Sequence, residues 1–358
     1  MLSSHPEILQ AQYPWTSSPL IVSAPMRLIA TEKLAVSVSK STGFGFIAAG
    51  TDVSNLSTLI ADAISAFKSS PVQHTPTAVL PIGVGFICWG ADLATVLSVI
   101  KEAELKPAAA WLFAPKEAKD LRTWTDGIRK ASDGKTKIWI QVGTVNMTVE
   151  AAKACRPDVL VIQGADAGGH GLAQSSSIIS LLPECADALK EEGFGDIPLI
   201  AAGGIVDGRG VAAAVVLGAS GVCMGTRFLA TPEAVISEGY RQAVIAAIDG
   251  GVSTARTSLY DRLRGTVGWP AEYNGRGVLN QSFWDHEKGL DEDENMKMYE
   301  AAISLGDAGW GDRGRITTYA GTGIGLIKKV SPAGDIVQEV LSDSRKILAE
   351  ANSSYRGK

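Results

Sequence analysis

Eight short apolar runs, separated by longer stretches with helical spacing, constrain the fold of this 358-residue chain more than any other feature. Such runs, alternating with helices, are typical of parallel β-strands buried on both faces. They predict an α/β fold, a closed TIM (β/α)8 barrel. An open doubly wound sheet would carry a glycine fingerprint after its first strand, where this chain has APMRLIA. The runs are LIVSAP (20–25), FGFIAAG (44–50), AVLPIGVGFI (78–87), AAAWLFA (108–114), KIWIQVG (137–143), VLVIQG (159–164), IPLIAAGG (197–204) and GVCMGTRFL (221–229).

The alternation stops after residue 231 and does not return before the C-terminal region. Residues 232–316 mix aromatic, basic and glycine-rich stretches without clear strands, and we expect them to form an inserted, mainly helical lid or substrate domain. Residues 1–231 and 317–358 are then the barrel. An apolar stripe after Ser331-Pro332 predicts its eighth helix, displaced by the insert, and consists of Ile336, Val337, Val340, Leu341, Ile347 and Leu348.

Composition excludes several classes of partner. The net charge of −5, with no basic block, argues against nucleic acid and against an anionic membrane. No apolar stretch reaches eighteen residues and the N-terminus lacks a signal-peptide pattern, so we expect a soluble cytoplasmic protein. The four cysteines stand singly, which predicts reduced thiols and no metal site. A small-molecule partner is the remaining expectation.

Two glycine motifs lie where a barrel of this kind commonly binds phosphate, in the loops after strands seven and eight. Gly203 and Gly204 end the seventh run, and the helix that follows them would point its N-terminal amides at an anion. Gly225 and Thr226 follow the core of the eighth run. We predict a phosphate cradle here, although the same glycines could serve only to turn the chain.

A single histidine stands among glycines in QGADAGGHG (163–171), after the sixth run. A lone histidine is more often structural than catalytic, but a position at a strand's carboxyl end favours a role for His170 in a site. Asp166 could orient its ring or only turn the loop. Later in the chain, GTGIGL (321–326) lacks the third glycine of a dinucleotide fingerprint and is either a loop near the site or a turn.

Four residues of the lid segment are candidates for closing over a substrate, with packing inside the lid as the alternative. They are Tyr260, Trp269, Tyr273 and Arg276.

Motifs along almost the whole barrel resemble the nitronate monooxygenase (2-nitropropane dioxygenase) family. They are APM after the first run, GFGFIAAG, QGADAGGHG, AAGGIVDGRGVAAAVVLGASGVCMGTRFLAT and AGTGIGL, in that order. The resemblance implies a flavoprotein: a TIM barrel that binds FMN noncovalently under a lid and uses no metal. It also implies that His170 is the catalytic base.

The resemblance places Pro25 and Met26 beside the flavin ring, Gln163 at the end of strand six, and Gly168 and Gly169 along the cofactor. Phosphate would bind at Gly203, Gly204, Gly225 and Thr226. Gly85 and Gln141 also belong to the expected cofactor pocket, at positions where this sequence departs from some relatives. Gly85 stands where many relatives have an asparagine, and it offers no side chain.

The implied reaction is oxidative denitrification of a nitroalkane or nitronate by O2, which yields a carbonyl compound and nitrite. The expected partners are that substrate and O2. The sequence does not decide whether the chain forms a homodimer. One alternative is an FMN-dependent NAD(P)H reductase of an enoyl thioester or quinone on the same scaffold. A second is a noncatalytic barrel that binds a phosphate ligand.

Overall fold

The computed structural model describes residues 5–311 and 313–354, and its centre is a closed barrel of eight parallel strands. The last strand pairs with the first, from Leu20 opposite Gly221 to Ser23 opposite Met224, which closes the ring. The predicted TIM barrel is therefore confirmed, and each of the eight apolar runs contains one of its strands. In barrel order they are β1 Leu20–Ser23, β2 Phe44–Gly50, β3 Val79–Ile87, β4 Lys106–Phe113, β5 Lys137–Val142, β6 Val159–Gln163, β8 Leu199–Ala202 and β9 Gly221–Met224.

Helices cover the outside of the barrel, and four of those in the described part of the chain before the lid begin at a side chain that accepts a hydrogen bond from the first turn. These capping residues are Asp92, Thr144, Ser177 and Asp207, which satisfy amides that would otherwise lack a partner. The helices up to the lid are α1 His5–Gln12, α2 Glu32–Lys40, α3 Leu56–Ser69, α4 Leu93–Glu102, α5 Asp120–Ala131, α6 Val145–Cys155, α7 Ile178–Glu191, α8 Gly208–Val216 and α9 Thr226–Leu229.

Large aromatic side chains fill the amino-terminal end of the barrel. Tyr13, which follows α1, is fully buried and stacks on Phe44 with ring centroids 4.6 Å apart. Its hydroxyl accepts a hydrogen bond of 2.8 Å from the indole of Trp139. Because these side chains fill this end, we expect a ligand to enter at the carboxyl ends of the strands.

The C-terminal helix α15, Ala333–Ser354, returns to the barrel and packs against α8 and α2. Of the predicted apolar stripe, Ile336, Val337, Val340 and Leu341 are buried, whereas Ile347 and Leu348 near the end of the helix are only partly buried. Contact with α8 is close at Gly208, where a Cβ would lie 2.6 Å from Cβ of Asp343. The chain thus forms the expected eighth helix after the insert.

The inserted segment is mainly helical and also contains two short strands that the sequence did not predict. Strand β10 (Thr254–Thr257) and strand β11 (Tyr273–Val278) form a small antiparallel sheet with β7 (Gly169–Leu172), which leaves the barrel after β6. The remaining helices are α10 Glu238–Ala246, α11 Gly250–Ser253, α12 Leu259–Leu263, α13 Gln281–Glu287 and α14 Glu292–Ser304, with 3-10 turns at Gly306–Gly309 and Thr322–Leu326. The boundaries at 232 and 316 stay a prediction.

Among the described residues, no helix combines the length and the apolar character needed to span a bilayer.

Candidate active site

A cavity of about 1310 Å³, part of it open at the mouth, lies at the carboxyl ends of the barrel strands. Eleven of the twelve predicted site residues line it: Pro25, Met26, Gln141, Gln163, Gly168, Gly169, His170, Gly203, Gly204, Gly225 and Thr226. Gly85 is not on its wall. A Cβ there would lie 2.6 Å from Cγ of Pro25, so this glycine lets Pro25 sit directly against β3.

Backbone amides on one side of the cavity form what we call the amide cradle: Gly203, Gly204, Gly225 and Thr226. Gly203 and Gly204 have φ angles of +113° and +73°, which favour glycine. Within the described residues, the amides of Gly203, Gly204 and Gly225 have no hydrogen-bond acceptor. Unpaired amides that border the same cavity are suited to an anion such as phosphate.

The N-terminus of α8 does not contribute to this cradle, contrary to the sequence expectation. The Asp207 carboxylate accepts hydrogen bonds from the amides of Arg209 (2.9 Å) and Gly210 (3.3 Å). These amides are therefore already satisfied by an anionic group of the chain itself.

The loop GTGIGL approaches the cavity rather than only turning the chain, and Gly321 and Gly323 line the wall. The Gly321 amide donates to the Thr226 hydroxyl oxygen at 2.9 Å. That bond leaves the Thr226 hydroxyl proton free to donate to a ligand.

Two glutamines present amide groups at the floor of the cavity, and each is oriented by one hydrogen bond. Gln141 Oε1 accepts from the Trp111 indole at 2.9 Å, and Gln163 Nε2 donates to the His170 carbonyl at 3.1 Å. Among the described residues, the Gln141 amide nitrogen and the Gln163 amide oxygen have no hydrogen-bond partner, which leaves one donor and one acceptor.

His170 lies on β7, and its ring contacts two residues of the lid. Nε2 is 2.9 Å from both carboxylate oxygens of Asp261. The indole of Trp269 stacks on the imidazole with centroids 3.8 Å apart and an angle of 5° between the planes. The His170 side chain is only 15% exposed, so its ring is held from two directions while it still borders the cavity.

Asp261 was missed by sequence reasoning, which considered Asp166 as the orienting residue. Asp166 instead accepts a hydrogen bond of 3.1 Å from the Thr322 hydroxyl, at the start of a 3-10 turn. Asp261 lies 91 residues from His170, inside the unremarkable stretch LYDRL, and nothing in the local pattern marks it as a partner.

Hydroxyl groups hold the Asp261 carboxylate in place. The hydroxyls of Thr266 and Tyr319 donate to Oδ1 at 3.0 Å and 2.9 Å. Burial acts to raise the pKa of Asp261, but the hydrogen bonds and the charge interaction with His170 outweigh it, so the pKa lies below its ordinary value. Burial raises the pKa of Tyr319, and the Asp261 charge adds to that rise. In the hydrogen bond between Tyr319 and Asp261, the carboxylate is therefore the charged acceptor and the phenol is the neutral donor.

The remaining lid candidates have different roles. Tyr260 is fully buried in a small cluster within the lid, and Tyr273 packs edge-on against Phe113 with centroids 5.4 Å apart. Trp269, by contrast, lines the cavity and covers His170. Tyr260 therefore packs inside the lid, Tyr273 packs against the barrel, and Trp269 contacts the site.

A pair of arginines from the lid sheet holds the loop that leads to His170. Arg256 Nε and Arg276 Nε donate to the same carbonyl, that of Ala165, at 3.3 and 3.2 Å, and Arg256 Nη2 donates to the Ala167 carbonyl at 3.1 Å. Burial, together with the like charge of Arg276, lowers the pKa of Arg256 to about 10. Asp166 is the nearby opposite charge that partly offsets this effect.

The fold and the site together define a TIM-barrel enzyme with a histidine–carboxylate pair at the mouth of its barrel. A family model described as nitronate monooxygenase matches residues 120–343. The chain is 46% identical to the nitronate monooxygenase npaC of Metarhizium robertsii (96% of this chain, 95% of that protein) and 39% identical to a nitronate monooxygenase of Neurospora crassa (94% and 92%). FabK from Thermotoga maritima shares the fold, with a TM-score of 0.72 at 22% identity over 97% of this chain and 98% of that one.

The chain belongs to the nitronate monooxygenase family. It is accordingly an oxidoreductase, which agrees with the resemblance seen in the sequence motifs.

Proposed function

We propose that this protein binds FMN and oxidises nitroalkanes or their nitronates with O2, producing a carbonyl compound and nitrite. The observation that carries the proposal is the position of His170, a titratable ring on the wall of the same cavity as the amide cradle. Membership of the nitronate monooxygenase family supports a nitronate as the substrate, and the cavity provides room for a cofactor and a small substrate together.

The residues present fit FMN. The unpaired amides of Gly203, Gly204 and Gly225, with the Thr226 hydroxyl, would hold its phosphate. The ring would be bordered by Pro25, Met26, Gly168 and Gly169, with Gln141 and Gln163 offering one donor and one acceptor to its polar edge. This set of residues provides an anion site, apolar contact and polar orientation.

Bound FMN would supply the redox chemistry between the nitronate and O2. The chain's own part is proton transfer: His170 takes the acidic α-proton of a neutral nitroalkane, and the C–H electron pair moves into the nitro group. The imidazolium that results lies against the Asp261 carboxylate, which is already ionised. Trp269 covers one face of the ring and limits the access of water to it.

The first test identifies the cofactor. The purified protein is expected to show flavin absorbance in the visible range, and the molecule released on denaturation is expected to co-elute with FMN. Addition of a nitronate without oxygen should then bleach that absorbance. A colourless protein that cannot be reconstituted with FMN would contradict the proposal and favour a noncatalytic phosphate-ligand barrel.

The second test concerns the base. Replacement of His170 by Asn should leave FMN bound and slow the turnover of a neutral nitroalkane by about 100-fold or more, the usual contribution of a general base. Turnover of the preformed nitronate, which needs no deprotonation, should change far less. Equal losses on both substrates would remove His170 from this role. Steady NAD(P)H consumption without oxygen, with an enoyl thioester or quinone as acceptor, would favour the reductase instead.

A further inference from the structure

We infer that Asp261, supplied by the lid, is a positioning residue that holds His170 in the tautomer protonated at Nε2, so that Nδ1 receives the substrate proton. This inference rests on the proposed function and adds to it the identity of the reacting nitrogen and the residue that selects it.

The hydrogen-bond chemistry of the pair determines the tautomer. Both Asp261 oxygens are 2.9 Å from Nε2, and an ionised carboxylate has lone pairs but no proton to donate. Nε2 must therefore carry the hydrogen, and in the neutral ring Nδ1 then carries the lone pair. Within residues 5–311 and 313–354, Nδ1 has no hydrogen-bond partner, so it is the nitrogen left for a substrate.

The carboxylate can perform this function only if it is itself fixed. Thr266 and Tyr319 donate to the same oxygen, Oδ1, from two different segments, and the Asp261 side chain is only 11% exposed. The His170–Asp261 pair is buried, and Thr266 and Tyr319 also hold the carboxylate. The pair therefore keeps its geometry, and no conformational entropy has to be lost at each turnover to align it.

The imidazole cannot exchange its two nitrogens by a simple rotation. The Trp269 indole lies parallel to it at 3.8 Å, and the Tyr319 ring lies on another side with its centroid at 5.2 Å. Rotation of the ring would break the stack as well as the hydrogen bond to Asp261. The indole face also attracts a cationic ring, which favours the protonated product of the transfer.

The step itself is a balanced proton transfer. The α-carbon–hydrogen bond of the nitroalkane breaks, and its electron pair becomes the carbon–nitrogen π bond of the nitronate, with the charge on the nitro oxygens. The proton forms a new bond to Nδ1 of His170, giving an imidazolium with hydrogen on both nitrogens. Asp261 accepts the Nε2 hydrogen bond before and after the transfer, and its own protonation does not change.

The test compares Asp261→Asn with Glu292→Gln. An asparagine amide at position 261 can donate to Nε2, which would leave the hydrogen on Nδ1 and block the base. We expect turnover of a neutral nitroalkane to fall by about 100-fold or more, while turnover of a preformed nitronate stays within about threefold. Glu292 is a matched carboxylate of the lid that pairs with Arg262 at 2.8 Å and does not contact the site. Its variant should match the wild type on both substrates.

A second readout does not depend on turnover. In protein labelled with 15N-histidine, long-range proton–nitrogen spectra distinguish the two neutral tautomers, and loss of one signal set in the His170→Asn variant assigns the ring. We expect the Nε2-protonated pattern for His170 in the wild type and a different pattern in Asp261→Asn. The charged and titratable groups around this ring are Asp261 itself, Tyr319, and Arg264, which lies 5.4 Å from the Tyr319 ring centroid.

The outcomes separate this inference from the proposed function. If the wild type and His170→Asn behave as proposed but Asp261→Asn retains neutral nitroalkane turnover, or if the wild-type ring is protonated at Nδ1, the assignment of Asp261 is overturned alone. If the wild type bleaches with neither substrate, the proposed function fails and this inference falls with it.

Discussion

Gly168 lies where the His170 loop crosses the C-terminal loop, and adding a single methyl group there should damage the site. A Cβ on Gly168 would lie 2.7 Å from Cα of Ala320 and closer still to the Ala320 carbonyl carbon and the Gly321 amide nitrogen. These are backbone atoms, which cannot rotate away as a side chain can. Ordinary van der Waals contact begins near 3.4 Å, so Gly168→Ala requires the two segments to separate by about 1 Å.

Two measurable effects follow from that separation. Overpacking of this kind costs about 1–3 kcal/mol in the free energy of unfolding. His170 is two residues away, and a shift of about 1 Å at a reacting group can lower turnover by about 100-fold. We expect Gly168→Ala to show both losses, measured by urea unfolding and by steady-state turnover of a neutral nitroalkane.

Gly251→Ala is the control, because a Cβ at that helical position would have one neighbour, 3.9 Å away. It should retain wild-type turnover and equal or greater stability. Wild-type turnover in Gly168→Ala, with unchanged unfolding, would refute the argument that this crossing fixes the loop.

Three further predictions concern other parts of the chain. Tyr13→Phe removes the acceptor of the buried Trp139 indole, so urea unfolding should show a loss of about 1–3 kcal/mol with turnover unchanged; equal stability would contradict the bond's importance. Thr226→Val removes a phosphate donor and the acceptor of the Gly321 amide, so equilibrium titration should show FMN binding weakened about tenfold; unchanged affinity would place the phosphate elsewhere. Burial raises the pKa of Cys88 to about 12 and that of Cys185 to about 11, so at pH 8 both thiols should be neutral and should resist iodoacetamide until urea unfolds the chain. Mass spectrometry counts the modified cysteines, and modification of these two in the folded protein would contradict their burial.

The barrel could be predicted from the sequence because its signals are local. A strand covered on both faces requires a continuous apolar run, and eight such runs with helices between them leave few architectures open. The location of the predicted phosphate site also follows from a local signal. A residue just after a strand lies at the carboxyl end of the barrel, and this places Gly203-Gly204 and Gly225-Thr226 there.

The α8 N-terminus shows the limit of such reasoning. A helix that follows a glycine pair has amides to offer, and the sequence therefore suggested an anion site there. Asp207 is itself a capping residue, however, and an aspartate immediately before a helix satisfies those amides without a ligand. The free amides are instead those of Gly203, Gly204 and Gly225, which have no acceptor in the part of the chain that the structure describes.

Asp261 could not be found by local signals, because its role depends on a pairing between distant segments. His170 leaves the barrel on β7 and pairs in register with Gly275 of β11, so the strand that carries the histidine is part of the lid sheet. That sheet brings α12 close enough for Asp261 to reach Nε2, and it places Arg256 and Arg276 on the carbonyl of Ala165.

The lid is therefore a structural part of the active site as well as its cover. Trp269 and Asp261, which hold the imidazole, both come from it, and each contact would be lost if the lid moved away as a unit. Four register pairs between β7 and β11 would have to break in the same movement. We therefore expect sequence changes in the lid of a related chain to alter the position of the His170 ring as well as the shape of the cavity, because the same segment contacts both.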